Sequence, residues 1–409
     1  MRRDPTNKRA RVHKDVEFSP DRSTDGMMSN SSDSRRRGRE QHCDDDDAAA
    51  KRPRRGQKHL YLVIDDWEMG YSIHKLDVDA FEPTNKLRRL PEPCALRIEA
   101  PTDRNTAIVA ALGSKILLVA DRNSAEAPIL TYDTDTASLA VGPRATPALR
   151  PAGFIFIVPV GHRLYAFNPR RADLHCSSFE VLSRAPRDEE DKFLLSRRAE
   201  RWSVESVAAP MPLLRHELVT AYAVHPDGRT IFVSARNRSR LDGERKEGTH
   251  SFDTRSSVWT WHGEWQLPFL GQGCYVDDLD AWVGLRRDGF LCSCAVAASR
   301  GGAAAARPPE WKLGRKTMFR EDPERHVGQP TGATLTYMGG GRFCLVECAA
   351  RQGVGVAEAM GEVDGCVLHA TIFGVKYDKR GDLQTTEHRQ RSYIVTRYAP
   401  VFAAPTFWM

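Results

Sequence analysis

The feature that most limits what this chain can fold into is the texture it adopts from His59 onward. Short runs rich in Val, Ile, Phe and Tyr alternate with Gly, Pro, Asp and Asn, and no stretch keeps a helical period over three turns. Runs of that length and composition, bounded by turn formers, are strands. They also recur. Lys115–Val119 is followed by Ile129–Thr134, and Arg229–Val233 by Thr249–Thr254 and then Ser257–Trp259. Arg163–Phe167 leads to Phe179–Leu182 and Arg201–Val204, and Ala281–Leu285 to Phe290–Cys294 and Glu310–Leu313. Arg342–Val346 leads to His369–Phe373, and Leu60–Ile64 with Tyr71–Leu76 makes a further unit. Repeats of roughly 50 residues that cannot bury both faces alone stack radially and close. The expected fold is all-β: a single β-propeller of about six four-stranded blades, with a disordered N-terminal tail.

The repeating chemistry has mechanical reasons. An Asp after the third strand, as at Asp133 and Asp253, can accept hydrogen bonds from the N–H groups of the turn. A Trp on the outer strand, as at Trp202, Trp259 and Trp311, can bury its face between adjacent sheets. Ring closure is expected through Ser392–Thr396, an apolar, β-branched run with no evident place in its own blade, pairing with the first blade. The expected organisation is a basic tail at 1–58, a propeller at 59–398 and a C-terminal tail at 399–409.

Residues 1–57 contain no Leu, Ile, Trp or Tyr and one Phe, so they cannot bury enough apolar area to offset ordering. Residues 1–58 carry 16 Lys+Arg against 11 Asp+Glu; by subtraction from 60 and 54, the rest carries 44 against 43. The folded part is therefore near neutral and offers no electrostatic groove for nucleic acid. The run Lys51, Arg52, Arg54 and Arg55 fits a nuclear import signal and equally a solvated tail. With no apolar leader at the start and no run of membrane-spanning length, the expected location is inside the cell, in nucleus or cytoplasm. The nine cysteines are odd in number and include no CxxC, which argues against a disulfide framework or a zinc site.

The strings Leu60–Glu68 with Gly70–Ser72, Tyr222–Thr230, Trp265–Phe269 with Gly271–Gln272, Leu279–Leu285 and Phe343–Glu347 resemble a plant family, expanded in grasses, catalogued as domain of unknown function 1668. The resemblance runs from about Leu60 to Tyr393. It implies a kelch-like propeller with no established activity and no known catalytic residues; the repeat itself is loosely similar to kelch repeats.

Each chemical motif has a plainer reading. Asp65–Asp66 and Asp277–Asp278 with Asp280 lack Ca²⁺-loop spacing and read as solvated hairpin loops. Cys292 and Cys294, and Cys344 and Cys348, sit at even spacings on one strand face each, as buried packing. His225–Pro226–Asp227–Gly228 reads as a hairpin turn, and Gly339–Gly341, without a following Lys-Ser/Thr, as a tight turn. His74, His162, His250 and His369 show no ligand spacing. The expected function is a non-enzymatic, monomeric protein-interaction propeller with no cofactor, no metal, no membrane and no specific nucleic-acid partner. One alternative is an enzyme of the galactose-oxidase or sugar-lyase kind with its site in the channel. Another is a ubiquitin-ligase adaptor, which would need an F-box from another protein because the leucine-free start cannot encode one.

Overall fold

The computed structural model describes residues 57–409 except 82–85, 100–106, 120–127, 146–148, 150–155, 169–178, 186–200, 208, 210, 214–216, 238–246, 300–306, 321–331, 356 and 399–402. The basic run Lys51, Arg52, Arg54 and Arg55 and the tail that carries it lie outside the described residues, as does the Ala-rich segment near Ala303.

The first unit holds β1 (Leu60–Trp67), β2 (Gly70–Leu76) and β4 (Leu96–Glu99), while the short β3 (Leu87–Arg89) between β2 and β4 joins another sheet. The second holds β5 (Ile108–Leu112), β6 (Lys115–Val119), β7 (Pro128–Asp133) and β8 (Ser138–Arg144). The third holds β9 (Phe156–Val160), β10 (Arg163–Phe167), β11 (Phe179–Ala185) and β12 (Arg201–Ser206). The fourth holds β13 (Glu217–Val224), β14 (Thr230–Asn237), β15 (Gly248–Asp253) and β16 (Val258–Gly263). The fifth holds β17 (Leu270–Val276), β18 (Ala281–Leu285), β19 (Phe290–Ala295) and β20 (Trp311–Thr317). The sixth holds β21 (Gly332–Gly339), β22 (Arg342–Ala350), β23 (Cys366–Tyr377) and β24 (Leu383–Val395), and the chain ends in β25 (Thr406–Trp408).

Within units two to six the four strands run in sequence order as antiparallel meanders. The second strand of each is buried along nearly its whole length, because sheets press on both of its faces; β14 and β18 show this most clearly. Outer strands such as β8 and β20 are mostly exposed. Six apolar clusters join the units. Five lie between successive units and one, built on Leu62, Ile64, Val346 and Leu368, joins the last unit to the first. The sheets therefore stack as a closed ring, a β-propeller.

Turn chemistry follows the sequence logic. Asp133 accepts from the N–H of Asp135 at 3.1 Å, and Asp253 from that of Arg255 at 2.8 Å. Asp378 does the same for Arg380 and Asp382 at 2.8 and 3.0 Å. In the His225–Arg229 turn, Asp227 accepts from the N–H groups of Arg229 and Thr230, and Gly228 takes a φ of 70°. Gly339, Gly340 and Gly341 all have positive φ in the turn between β21 and β22.

Closure departs from expectation. Residues Ser392–Val395 stay in the sixth unit as the end of β24. Within the segment expected to be a tail, Thr406–Trp408 forms a strand that pairs antiparallel with β1, so that Trp408 faces Leu60 and Thr406 faces Leu62. The innermost strand of the first unit thus comes from the chain's end. The physical reason lies in length. β24 spends all of Leu383–Val395 on one edge against the long β23, and β3 takes its other edge at Ser392–Ile394, so neither edge is left for β1. A second tie crosses the same seam on the outside, where β3 pairs parallel to the end of β24. Trp311 also differs: it is 47% exposed on β20, with the Arg286 guanidinium 5.4 Å above its ring, and not between sheets. Among the described residues no helix is long and apolar enough to cross a membrane.

Candidate functional site

The seam between the last and first units gathers a dense set of chemistry-bearing side chains. β1 slips its register against β2 between Ile64 and Trp67, and Asp65 and Asp66 sit in that irregularity. Register slips of this kind re-aim side chains. Asp65 is buried; its carboxylate pairs with the buried guanidinium of Arg397 and accepts from the Tyr398 N–H at 3.1 Å. Asp66 meets Nε2 of the buried His74 at 2.9 Å. Burial alone would raise the Asp66 carboxyl, but the hydrogen bonds from His74 and Ser72 outweigh it and hold the group below its ordinary value. The expectation of a solvated hairpin loop at Asp65–Asp66 is therefore corrected. Pairing continues to Trp67 opposite Gly70, so the turn falls later, at Glu68 and Met69. A buried carboxylate persists only with a cation or donors beside it, and both aspartates have them.

The cysteines lie where the spacing put them. Cys292 and Cys294 belong to the cluster between the fourth and fifth units, and Cys344 and Cys348 to the seam cluster. Burial pushes the thiols of Cys292, Cys294 and Cys344 up to about 12. Cys366 joins Cys348 at the seam, a neighbour that spacing along one strand cannot reveal.

On the opposite face of the sixth sheet, Glu347, His369 and Ser392 stand directly opposite one another on three successive strands. The Nδ1 of His369 lies 2.7 Å from the Ser392 hydroxyl. The order carboxylate, imidazole, hydroxyl is that of a nucleophile relay, but the arrangement argues for structure. In a relay the acid orients Nδ1 and the nucleophile meets Nε2. Here Nδ1 holds the serine, and Ser392 is 2% exposed. Nothing in the linear spacing marks this row, because it exists only once the strand register is known.

A third polar group lies in the fourth unit. His262 Nε2 is 2.7 Å from the Ser251 hydroxyl, and His250 packs on Trp261 with ring centroids 4.6 Å apart. Burial draws both imidazoles down, His250 to about 4 with His262's charge adding to the effect. His162 lies in the turn between β9 and β10. Asp277 and Asp278 are exposed in a short 3₁₀ turn between β17 and β18, and Asp280 takes the hydrogen bond of Tyr275 at 2.7 Å. Among the described residues no group of three or more His, Cys, Asp or Glu side chains is placed to hold a metal ion.

The exposed large apolar side chains are distributed differently. Leu139 and Val141 stand on β8, Val258 and Trp261 on β16, and Trp311 and Leu313 on β20. Each of these is the outer strand of its unit.

The sequence profile of a family described as a protein of unknown function, DUF1668, matches residues 57–393. No curated protein matches the chain significantly in sequence. Among solved structures, a Lactobacillus plantarum protein is 12% identical, covers 85% of this chain and 98% of its own, and superposes with a TM-score of 0.36. The β-propeller domain of Myceliophteria thermophila Cps50 (Swd1) is 10% identical, with coverage of 69% and 88% and a TM-score of 0.32. The Pseudomonas aeruginosa periplasmic gluconolactonase PpgL is 11% identical, with coverage of 86% and 99% and a TM-score of 0.37.

Proposed function

The chain belongs to the DUF1668 family of proteins of unknown function, and on that footing we propose that it is a non-enzymatic propeller that binds a protein partner along its outer rim. The observation that carries the reading is the split between polar and apolar chemistry. The pairs Asp65–Arg397, Asp66–His74 and His369–Ser392, which could otherwise act on a substrate, are engaged with one another. Among the described residues, six of the ten large apolar side chains left in solvent stand on the outer strands β8, β16 and β20; Met69, Leu87, Leu270 and Val363 lie elsewhere. Exposed apolar groups flanked by polar residues on a rigid scaffold are what a binding surface needs, with aromatic anchors contributing most.

The test compares capture by the native chain with capture by two rim variants, Trp311→Ser with Leu313→Ser and Val258→Ser with Trp261→Ser. A partner held by the native chain and lost from at least one variant, at unchanged melting temperature, supports the proposal. Binding that ignores both substitutions, or no stoichiometric partner at all, overturns it.

A further inference from the structure

We infer that Cys348 and Cys366 form a reversible dithiol–disulfide couple at the ring's closing seam, with Arg397 as the residue that activates Cys348. Cys348 pairs with Leu368 and Cys366 with Ala350, so the two cysteines are offset by two places on neighbouring antiparallel strands and point to the same face. Both belong to the apolar cluster that joins the last unit to the first. Their side chains hydrogen-bond each other, and the Cys366 thiol also reaches the carbonyl of Ala359 at 3.7 Å. The guanidinium of Arg397, buried between the Asp65 carboxylate and the Cys348 sulfur, places a hydrogen-bonding cation at Cys348.

The two sulfurs are therefore unequal. The hydrogen bond from Cys366, and then Arg397, hold the Cys348 thiol below its ordinary value, while the same hydrogen bond and burial push Cys366 up. A cysteine whose thiolate form is favoured, beside one whose thiol form is favoured, is the arrangement of an attacking and a resolving cysteine. Burial raises Cys344 to about 12, and Cys292 to about 12 as well although the Arg286 charge pulls the other way. Access favours the same order, since Cys348 is 6% exposed and Cys366 fully enclosed.

The local backbone suits a staple. The connection that follows β22 leaves at Arg351 and returns at Gly365, tied by an N–H···O bond of 2.8 Å. Gly365 has no side chain to spare, because a Cβ there would lie 2.7 Å from the Ala359 oxygen. A Cys348–Cys366 bond would lock the base of this connection and remove from Arg397 its thiol partner at Cys348. The oxidant is hydrogen peroxide. The Cys348 thiolate attacks the O–O bond, which breaks; sulfur becomes a sulfenic acid, and the expelled oxygen leaves as water after taking a proton. Cys366 then loses its proton and attacks that sulfur. The S–S bond forms, the S–O bond breaks and a second water leaves. Two thiols have given two electrons to one peroxide.

The experiment uses the native full-length chain, hydrogen peroxide, an alkylating quench and peptide mass spectrometry without reduction. The expected product joins the Cys348 and Cys366 peptides, forms in the folded but not the denatured chain at the same dose, and disappears with dithiothreitol. In the untreated protein Cys348 should alkylate faster than Cys344 by on the order of ten-fold, with a pH midpoint below that of a free thiol. Arg397→Gln should slow that alkylation; should this variant fail to fold, the pH midpoint in the native chain decides alone. No Cys348–Cys366 peptide, or a Cys348 no faster than Cys344, overturns the inference.

Discussion

Two histidines in the fourth unit set a pH dependence that belongs to single residues. His250 lies against Trp261, and His262 is held by Ser251. Both folded-state values lie below the ordinary imidazole value, His250 at about 4. The unfolded chain therefore takes up protons first as pH falls below about 6.5, and stability declines from there toward about 4. The depressed carboxyls of Asp66, Asp133 and Asp227 act in another window, because their contribution is present above about pH 4 and lost only below it. The melting temperature of the native chain should drop between pH 7 and pH 5, and His250→Gln should flatten part of that slope. For a domain of this size a change of 1 kcal/mol moves the midpoint by roughly 2–4 °C. Parallel curves for the two proteins would refute the assignment. Residue chemistry was readable where it is local. Asp133, Asp227 and Asp253 serve turn N–H groups two or three residues away. The pairs Asp65–Arg397 and His369–Ser392 cross hundreds or tens of residues, and no spacing encodes them.

At the scale of the strand, legibility follows burial. The second strands read as continuous apolar runs because sheets cover both faces, and Leu60–Ile64, Ile231–Val233 and Ala281–Leu285 are all buried. First strands such as β13 and outer strands such as β8 mix residue types, since each meets solvent or the ring axis along part of its length. Glycine placement is equally physical but silent in one sequence. The Phe269 ring lies against both Gly273 and Gly284, where an added Cβ would stand 2.2 Å and 2.4 Å from ring atoms. Beside it the indole N–H of Trp282 reaches the Val224 carbonyl at 2.8 Å and fixes the fifth unit on the fourth. Neither Phe269 nor Trp282 has room to move, so Gly284→Ala should cost about 1–3 kcal/mol through overpacking. Denaturant unfolding measures this directly. Adding Phe269→Leu should return part of the loss, and an unshifted midpoint for the single variant would show that the contact is slack.

At the scale of the whole ring, the decisive contact is the one between chain ends. The sequence points to Ser392–Thr396 as the closing strand because that run is longer and more β-branched than Thr406–Trp408, which is three residues set behind Pro400 and Pro405. Its importance is positional. The His59 and Met409 backbones exchange hydrogen bonds at 2.6 and 3.1 Å, and the Val63 N–H meets the Pro405 carbonyl at 3.0 Å. Phe407 packs into the cluster between the first and second units and Trp408 into the one between the last and first. The Thr336 hydroxyl on β21 donates to the Thr406 carbonyl at 3.2 Å and also meets the Thr406 hydroxyl, so the end strand also touches the sixth unit's own first strand. Outside, the Arg89 guanidinium grips Asp364 through bonds of 3.0 and 2.6 Å and reinforces β3 on β24. Removing residues 400–409 leaves that outer tie intact but strips one edge of β1, exposing Leu60 and Leu62 and two apolar clusters. The lost burial of Phe407 and Trp408 alone is worth on the order of 3–5 kcal/mol, and a bare β1 edge invites association between chains. The truncated protein should therefore melt well below the full chain or aggregate, and a synthetic peptide of residues 399–409 added in trans should raise its melting temperature in a dose-dependent way. Melting identical to the full chain, or no response to the peptide, would mean that the outer tie through β3 closes the ring by itself.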